Sequence, residues 1–158
     1  MENKKYEFVS GSGITIDEDT TLMRIRALRD FYDVNKGDIG GYIESEENLS
    51  HEDNCWVYGN ARVYGNAEVY GDARVYGDAE VDRDAKIASA EDYIVFKNWW
   101  SSGRYFTWIR SNNMWRVGCF YGTGDELIKK AYADSERSGR EYERVVNYVE
   151  EILRDERE

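Results

Sequence analysis

Val57-Tyr58-Gly59-Asn60-Ala61-Arg62, Val63-Tyr64-Gly65-Asn66-Ala67-Glu68, Val69-Tyr70-Gly71-Asp72-Ala73-Arg74 and Val75-Tyr76-Gly77-Asp78-Ala79-Glu80 are consecutive hexads that differ only at their fourth and sixth positions. Val81 with Ala85, and then Ile87, carry the period onward. Upstream the same frame pairs Ile39 with Ile43, Ser45 with Leu49 and His51 with Cys55, which gives nine hexads over 39–92. One branched and one small apolar residue every six positions fit a short strand and a tight corner. The branched side chain points inward, and the Gly-Asn or Gly-Asp pair supplies a residue that tolerates left-handed backbone angles. Three such hexads close one triangular coil. The expected fold is therefore mainly β: a three-coil, left-handed parallel β-helix over 39–92.

The sixth positions select three sides over two. A three-sided coil stacks residues three hexads apart, pairing Arg62 with Glu80, Glu68 with Lys86 and Arg74 with Asp92, each of opposite sign. A two-sided coil stacks residues two hexads apart and sets mostly like charges together. Each such surface pair adds only about 0–1 kcal/mol, so its value is as a signal of register.

Residues 1–38 read as a β-rich cap over one end of the coil, since a stack of repeats needs capping. Tyr6–Val9, Ile14–Ile16 and Leu22–Leu28 show strand character, with a Gly11-Ser12-Gly13 turn between the first two. Residues 93–158 read as an α+β end domain. Three antiparallel strands are expected at Tyr93–Lys97, Arg104–Arg110 and Met114–Cys119. Two helices should follow, opened by Thr123 with Glu126 and by Ser138 with Glu141 as capping boxes. Tyr142, Val145, Val146, Val149, Ile152 and Leu153 form the apolar stripe of the second.

The chain of 158 residues has a net charge of −11, and residues 39–92 hold 13 acids against 4 bases. That surface disfavours duplex nucleic acid and suits a basic protein surface. Two cysteines make no disulfide framework and fit a reducing compartment. No apolar run follows Met1–Lys5, so no secretory leader is expected, and no stretch is apolar enough for a membrane span. The expected compartment is the cytoplasm.

Three stretches carry a resemblance: Arg24–Asp30, Gly40–Glu46 and Asn54–Ala61, with Gly118–Thr123 similar to the end domain that follows such repeats. The chain resembles uncharacterised hexapeptide-repeat proteins of phages and prophages. The resemblance implies a mobile-element origin, the host cell cytoplasm as compartment, and a role among host-interaction or counter-defence factors. It implies no particular chemistry. The hexads also resemble those of left-handed β-helix acyltransferases, through the fold alone.

Catalytic signals are few. His51 is the one histidine and falls at an inward hexad position; acyltransferases of this fold use a histidine as general base. A buried structural imidazole is the competing reading. One histidine and two distant cysteines supply no zinc site, and no cofactor motif is present.

Residues 93–124 contain no Asp or Glu, four bases (Lys97, Arg104, Arg110, Arg116) and ten aromatic residues. Arginine beside flat rings can hold nucleotides or anchor a protein interface. The expected binding residues are Lys97, Trp99, Trp100, Arg104, Trp108, Arg110 and Arg116. The even face Arg104, Phe106, Trp108, Arg110 is the expected surface. A structural core is the competing reading of the same rings. Tyr58, Tyr64, Tyr70 and Tyr76 form a second candidate surface, for oligomerisation; β-helices of this hand commonly trimerise, so a homotrimer is expected by fold analogy. The functional expectation is a non-enzymatic inhibitor that occupies a bacterial defence protein or sequesters a nucleotide signal. An acyltransferase-like enzyme and a structural or scaffolding phage protein are the alternatives.

Overall fold

The computed structural model describes residues 3–157, so two of the five residues behind the leader expectation lie outside the described residues. Three strands open the chain: β1 (Tyr6–Phe8), β2 (Ile14–Thr15) and β3 (Thr21–Ala27). Seven short strands follow: β4 (Ile39–Ile43), β5 (Trp56–Val57), β6 (Arg62–Val63), β7 (Glu68–Val69), β8 (Arg74–Val75), β9 (Glu80–Val81) and β10 (Lys86–Ile87).

These seven pair in three parallel ladders. β4, β6 and β9 form one, β5 and β8 the second, β7 and β10 the third. Val57 lies beside Val75, Val63 beside Val81 and Val69 beside Ile87, each pair separated by three hexads of chain. All six side chains are buried together with Ala61, Ala67, Ala73, Ala79 and Ala85. Gly59, Gly65, Gly71 and Gly77 hold φ between 57° and 66°, the left-handed corner that a Cβ would strain. Of the three charge pairs expected from the sequence, Lys86 and Glu68 meet at 2.5 Å. Arg62 and Glu80 are in register, but Glu80 turns to Arg116 instead. Asp92 accepts from the amides of Ala88 and Ser89 rather than reaching Arg74.

The first round departs from the expected frame. Ile43 lies beside Val63 and Leu49 beside Val69, so each pair is separated by two residues more than three hexads. Ile43 and Leu49 are the buried branched residues, whereas Ile39 is 49% exposed. The expected inward set Ile39, Ser45 and His51 is thereby corrected. The cause is two extra residues in the turn after His51, where Asp53 takes φ 55°. Eight branched residues, rather than nine, then fill the interior: 43, 49, 57, 63, 69, 75, 81 and 87. Asn48 closes this round, its amide donating to the carbonyls of Gly65 and Ala67.

The N-terminal strands extend the first ladder through antiparallel pairing of β3 with β4 and β1 with β3. They also bring two polar groups onto the first round. Tyr6 donates its hydroxyl to the carbonyl of Leu49 at 2.6 Å. Lys5 is fully buried, and its Nζ donates to the carbonyls of Cys55 (2.6 Å), Glu52 and Asp53.

Burial holds the Lys5 ammonium below the ordinary lysine value of 10.5, and the same burial pushes the Cys55 thiol up. Below the folded value both the folded and unfolded chains carry the proton, so the burial cost is present in full. As pH rises through the folded value, the folded chain sheds the proton first, and stability is gained up to about 10.5. Urea titrations of the parent and Lys5→Met between neutral pH and that value should show the difference moving in favour of the parent. A flat difference contradicts this account of Lys5.

The end domain is a four-stranded antiparallel meander, β11 (Tyr93–Lys97), β12 (Tyr105–Ile109), β13 (Met114–Val117) and β14 (Phe120–Gly122), followed by α1 (Gly124–Asp134) and α2 (Glu136–Arg157). The sequence reading does not anticipate β14. Thr123 caps α1 as expected, accepting from the amide of Glu126. The expected cap at Ser138 is corrected: α2 begins at Glu136, and Ser135 accepts from the amide of Ser138. Ser138 instead accepts from the indole of Trp100.

Candidate functional site

Strand alternation gives the meander two faces, and both are covered. Ile94, Phe96, Phe106, Trp108 and Trp115 pack with Leu127, Ala131, Tyr142, Val146 and Val149 of the helices. Tyr93, Val95 and Ile109 join the core of the parallel ladders, and Thr107 accepts from the amide of Glu80. The expectation that the even face of β12 is the free surface is corrected. Trp108 is 0% exposed and donates its indole N–H to Asn113; Phe106 is buried beside it. β12, buried on both faces, excludes carboxylates, which accounts for their absence from Phe106–Ile109 without a ligand.

Two of the four bases of that window find acids elsewhere. Arg116 forms ion pairs with Asp82 and Glu80, and Arg110 pairs with Glu156 of α2. Trp100 is half-buried beneath Ser138, and Trp99 is exposed with Arg137 of α2 over its ring. Lys97 and Arg104 are exposed. The seven expected binding residues therefore do not converge on one open site.

Arg116 marks the junction the sequence reading misses. The hexad at Val81 reads Val-Asp-Arg-Asp-Ala, with Asp82 in place of tyrosine and Arg83 in place of glycine. Arg83 holds φ 58° like the glycines it replaces, a conformation that costs roughly 1–2 kcal/mol for a residue with Cβ. Its guanidinium lies over the ring of Tyr121, and Asp82 is buried against Arg116. Tyr64 donates to Glu80 at 2.8 Å in the same network. Here Arg62, Arg83 and Arg116 with Asp17, Glu80 and Asp82 line an open cavity of about 690 Å³. Its three bases face three acids, so it has no preference of charge. The break in the repeat at Asp82-Arg83 was the available signal.

His51 sits at the rim of the first round, half-buried and stacked on Tyr6 with ring centroids 4.1 Å apart. Its Nδ1 accepts from the backbone N–H of Lys5 at 3.1 Å, which leaves the proton on Nε2, 2.8 Å from Glu46 Oε1. Both nitrogens thus serve the fold. The hydrogen bond from His51 holds the Glu46 carboxyl below its usual range, aided by Lys4. Among the described residues no group of three or more His, Cys, Asp or Glu is placed to hold a metal ion. No helix among them is long and apolar enough to cross a membrane.

The four repeat tyrosines divide between the ladders. Tyr58 stacks on Tyr76, three hexads further along the chain, with ring centroids 4.5 Å apart. Tyr64 belongs to the Glu80 network, and Tyr70 stands alone on the third ladder with 42% of its surface exposed. Other aromatic residues lie on both sides of the Tyr58–Tyr76 pair. Below it, Trp56 is covered by Phe31, and Tyr58 donates to Asp33. Arg74 lies 3.5 Å from the ring centre of Tyr32, itself at φ 48°. Above it, the Tyr93 hydroxyl donates to the carbonyl of Arg74 and accepts from the amide of Tyr76. The result is an aromatic wall running from the N-terminal loop to the end sheet.

No family model matches the chain. A stretch of 37 residues, 23% of the chain, is 49% identical to part of an uncharacterized acetyltransferase, YdcK, of Escherichia coli (strain K12), and it spans 11% of that protein. A match over 11% of that protein's length shows no family for the chain.

Proposed function

We propose that the three ladders are the sides of a left-handed parallel β-helix and that this protein is a non-enzymatic binding protein. Its working surface is the aromatic wall of Tyr32, Tyr58, Tyr76 and Tyr105. The carrying observation is that Tyr76 and Tyr105, 46% and 47% exposed, line one cavity together with Tyr93. Exposed tyrosine next to arginine is the composition of protein interface hot spots. Occupation of a protein suits this surface better than sequestering a nucleotide. Two of the four bases expected to hold phosphate, Arg110 and Arg116, are paired with acids, and the surrounding coil carries 13 acids. The resemblance read from the repeat and its flanks makes a bacterial defence protein the proposed partner, and analogy with other β-helices of this hand makes a homotrimer the proposed assembly.

The short match to an acetyltransferase favours a second reading, in which His51 is a general base. Two hydrogen bonds already committed to the fold weigh against it. The test uses the full chain on bacterial host lysate, with bound proteins and extracted small molecules both identified. Acetyl-CoA consumption is followed on the same preparation, with and without amine acceptors. The expected result is a stoichiometric protein partner and no turnover. Turnover that disappears in a folded His51→Asn variant overturns the non-enzymatic reading, and a co-purifying nucleotide overturns the protein-occupying one.

A further inference from the structure

The protein supplies cations to its own rings with some regularity. Arg24 lies over Tyr42, Arg74 over Tyr32, Arg83 and Arg116 over Tyr121, and Arg137 over Trp99. Among the described residues no such cation lies over Tyr76, Tyr93 or Tyr105. These three rings line one open cavity of about 450 Å³ at the upper end of the wall, together with Gly77, Asp78 and Val95. Lys97 lies opposite Tyr105 in the sheet register, at the end of β11. Asp78 supplies a negative charge within the lining, and Asp33 a second one lower on the same wall.

A cavity lined by three tyrosines and a carboxylate attracts a cation, which gains from whichever ring faces it meets and from the full charge together. We infer that the Tyr76–Tyr93–Tyr105 cavity receives a lysine or arginine side chain from a basic protein segment. This rests on the binding reading above and names the chemistry of the partner. Charge chooses among the occupants. A second copy brings another acidic coil, 13 acids against 4 bases over residues 39–92, which opposes a contact between copies at this cavity. A phosphate group meets Asp78 at the rim. A basic segment gains from the acidic coil at long range and from the three rings at contact.

The probe is an acetylated, amidated octapeptide of alternating lysine and glycine, titrated into the full chain at moderate salt, with norleucine in place of lysine as the comparison peptide. The variants are Tyr76→Ala, Tyr105→Ala and Asp78→Asn. Tyr76→Leu keeps the apolar cover of the coil should Tyr76→Ala fail to fold. Tyr70→Ala controls for adsorption to the acidic coil. The expected result is binding of the lysine peptide alone, weakened about threefold to tenfold by loss of either ring and unchanged in Tyr70→Ala. Equal binding by every variant, or equal loss in Tyr70→Ala, overturns the inference, because the peptide is then held by charge alone. Self-association of the parent that Tyr76→Ala abolishes also overturns it, since the wall is then a contact between copies. Either failure leaves the binding function standing on another surface; acetyl turnover lost in His51→Asn is what removes the non-enzymatic reading, and a bound nucleotide the protein-occupying one.

Discussion

Val69→Asp is expected to abolish the folded state, whereas Glu68→Ala, one residue earlier on the same strand, is expected to leave it nearly unchanged. Val69 is 1% exposed and sits at the middle of a stack, with Leu49 bridged on one side and Ile87 on the other. A carboxylate there is cut off from solvent, and the nearby buried cation, Lys5, is already held by the carbonyls of Glu52, Asp53 and Cys55. The folded chain must carry it charged and unpaired or take up a proton to neutralise it, at a cost of about 4–5 kcal/mol or more. That is comparable to the whole stability of many domains of this size. Glu68 is exposed and shares one surface ion pair with Lys86, so its loss costs about 0–1 kcal/mol. Urea denaturation read by tryptophan fluorescence checks both. A Val69→Asp chain that melts with the parent means that Val69 does not face inward and that the register of the third ladder is wrong.

Arg116→Ala is expected to destabilise by about 3–5 kcal/mol, the range for breaking a buried pair from one side. Asp82 is 5% exposed, and Arg116 is its near partner; the Nε of Arg83 stands 3.9 Å away. Without Arg116, Asp82 is left buried with that one distant cation, and Glu80 loses the contact that directs it toward the end sheet. Replacing both members by apolar residues of similar size, Asp82→Leu with Arg116→Met, removes the charge together with its partner and should cost less than Arg116→Ala alone. Denaturation midpoints of the two single variants and the double variant test this directly. If Arg116→Ala falls within about 0.5 kcal/mol of the parent, the junction does not depend on this pair.

The period of six was legible because the same two residue types recur at fixed spacing, and the sixth-position charges pointed to neighbours three hexads apart. Two of those neighbour pairs are found in register, Arg62 with Glu80 and Lys86 with Glu68. The first round was misread for a local reason. Ser45 and His51 continue the frame arithmetically, and only the turn at Glu52-Asp53-Asn54 shows that two residues have been added. A period extended upstream carries no information about an insertion until an apolar residue falls out of phase, and Ile39 was apolar by coincidence.

The candidate site was harder to read. An acid-free stretch rich in aromatics has two causes, a binding surface and a sheet buried on both faces, and their compositions coincide. Trp108 and Phe106 belong to the second cause. What separates the two is whether other elements cover the strand, and the amphipathic stripe of α2 was the clue that one face would be covered. The aromatic wall joins Tyr32, Tyr58, Tyr76, Tyr93 and Tyr105, which lie far apart in the chain. The stacking of Tyr58 on Tyr76 follows from the repeat, while the arrival of Tyr93 and Tyr105 depends on how the end sheet seats on the ladders.

Both the fold and the proposed surface rest on the claim that residues three hexads apart are neighbours along one wall. Cysteine pairing measures this directly in a Cys55→Ala, Cys119→Ser background, where alanine at 55 is the residue the repeat places there. Parallel neighbours on adjacent strands lie about 4.8 Å apart, within reach of a disulfide. The account predicts that Tyr58→Cys with Tyr76→Cys closes a disulfide on mild oxidation of the folded chain. It predicts also that Tyr58→Cys with Tyr70→Cys, two hexads apart on different ladders, stays reduced. Closure of the second pair, or failure of the first in a folded protein, contradicts the three-hexad wall and the surface built on it.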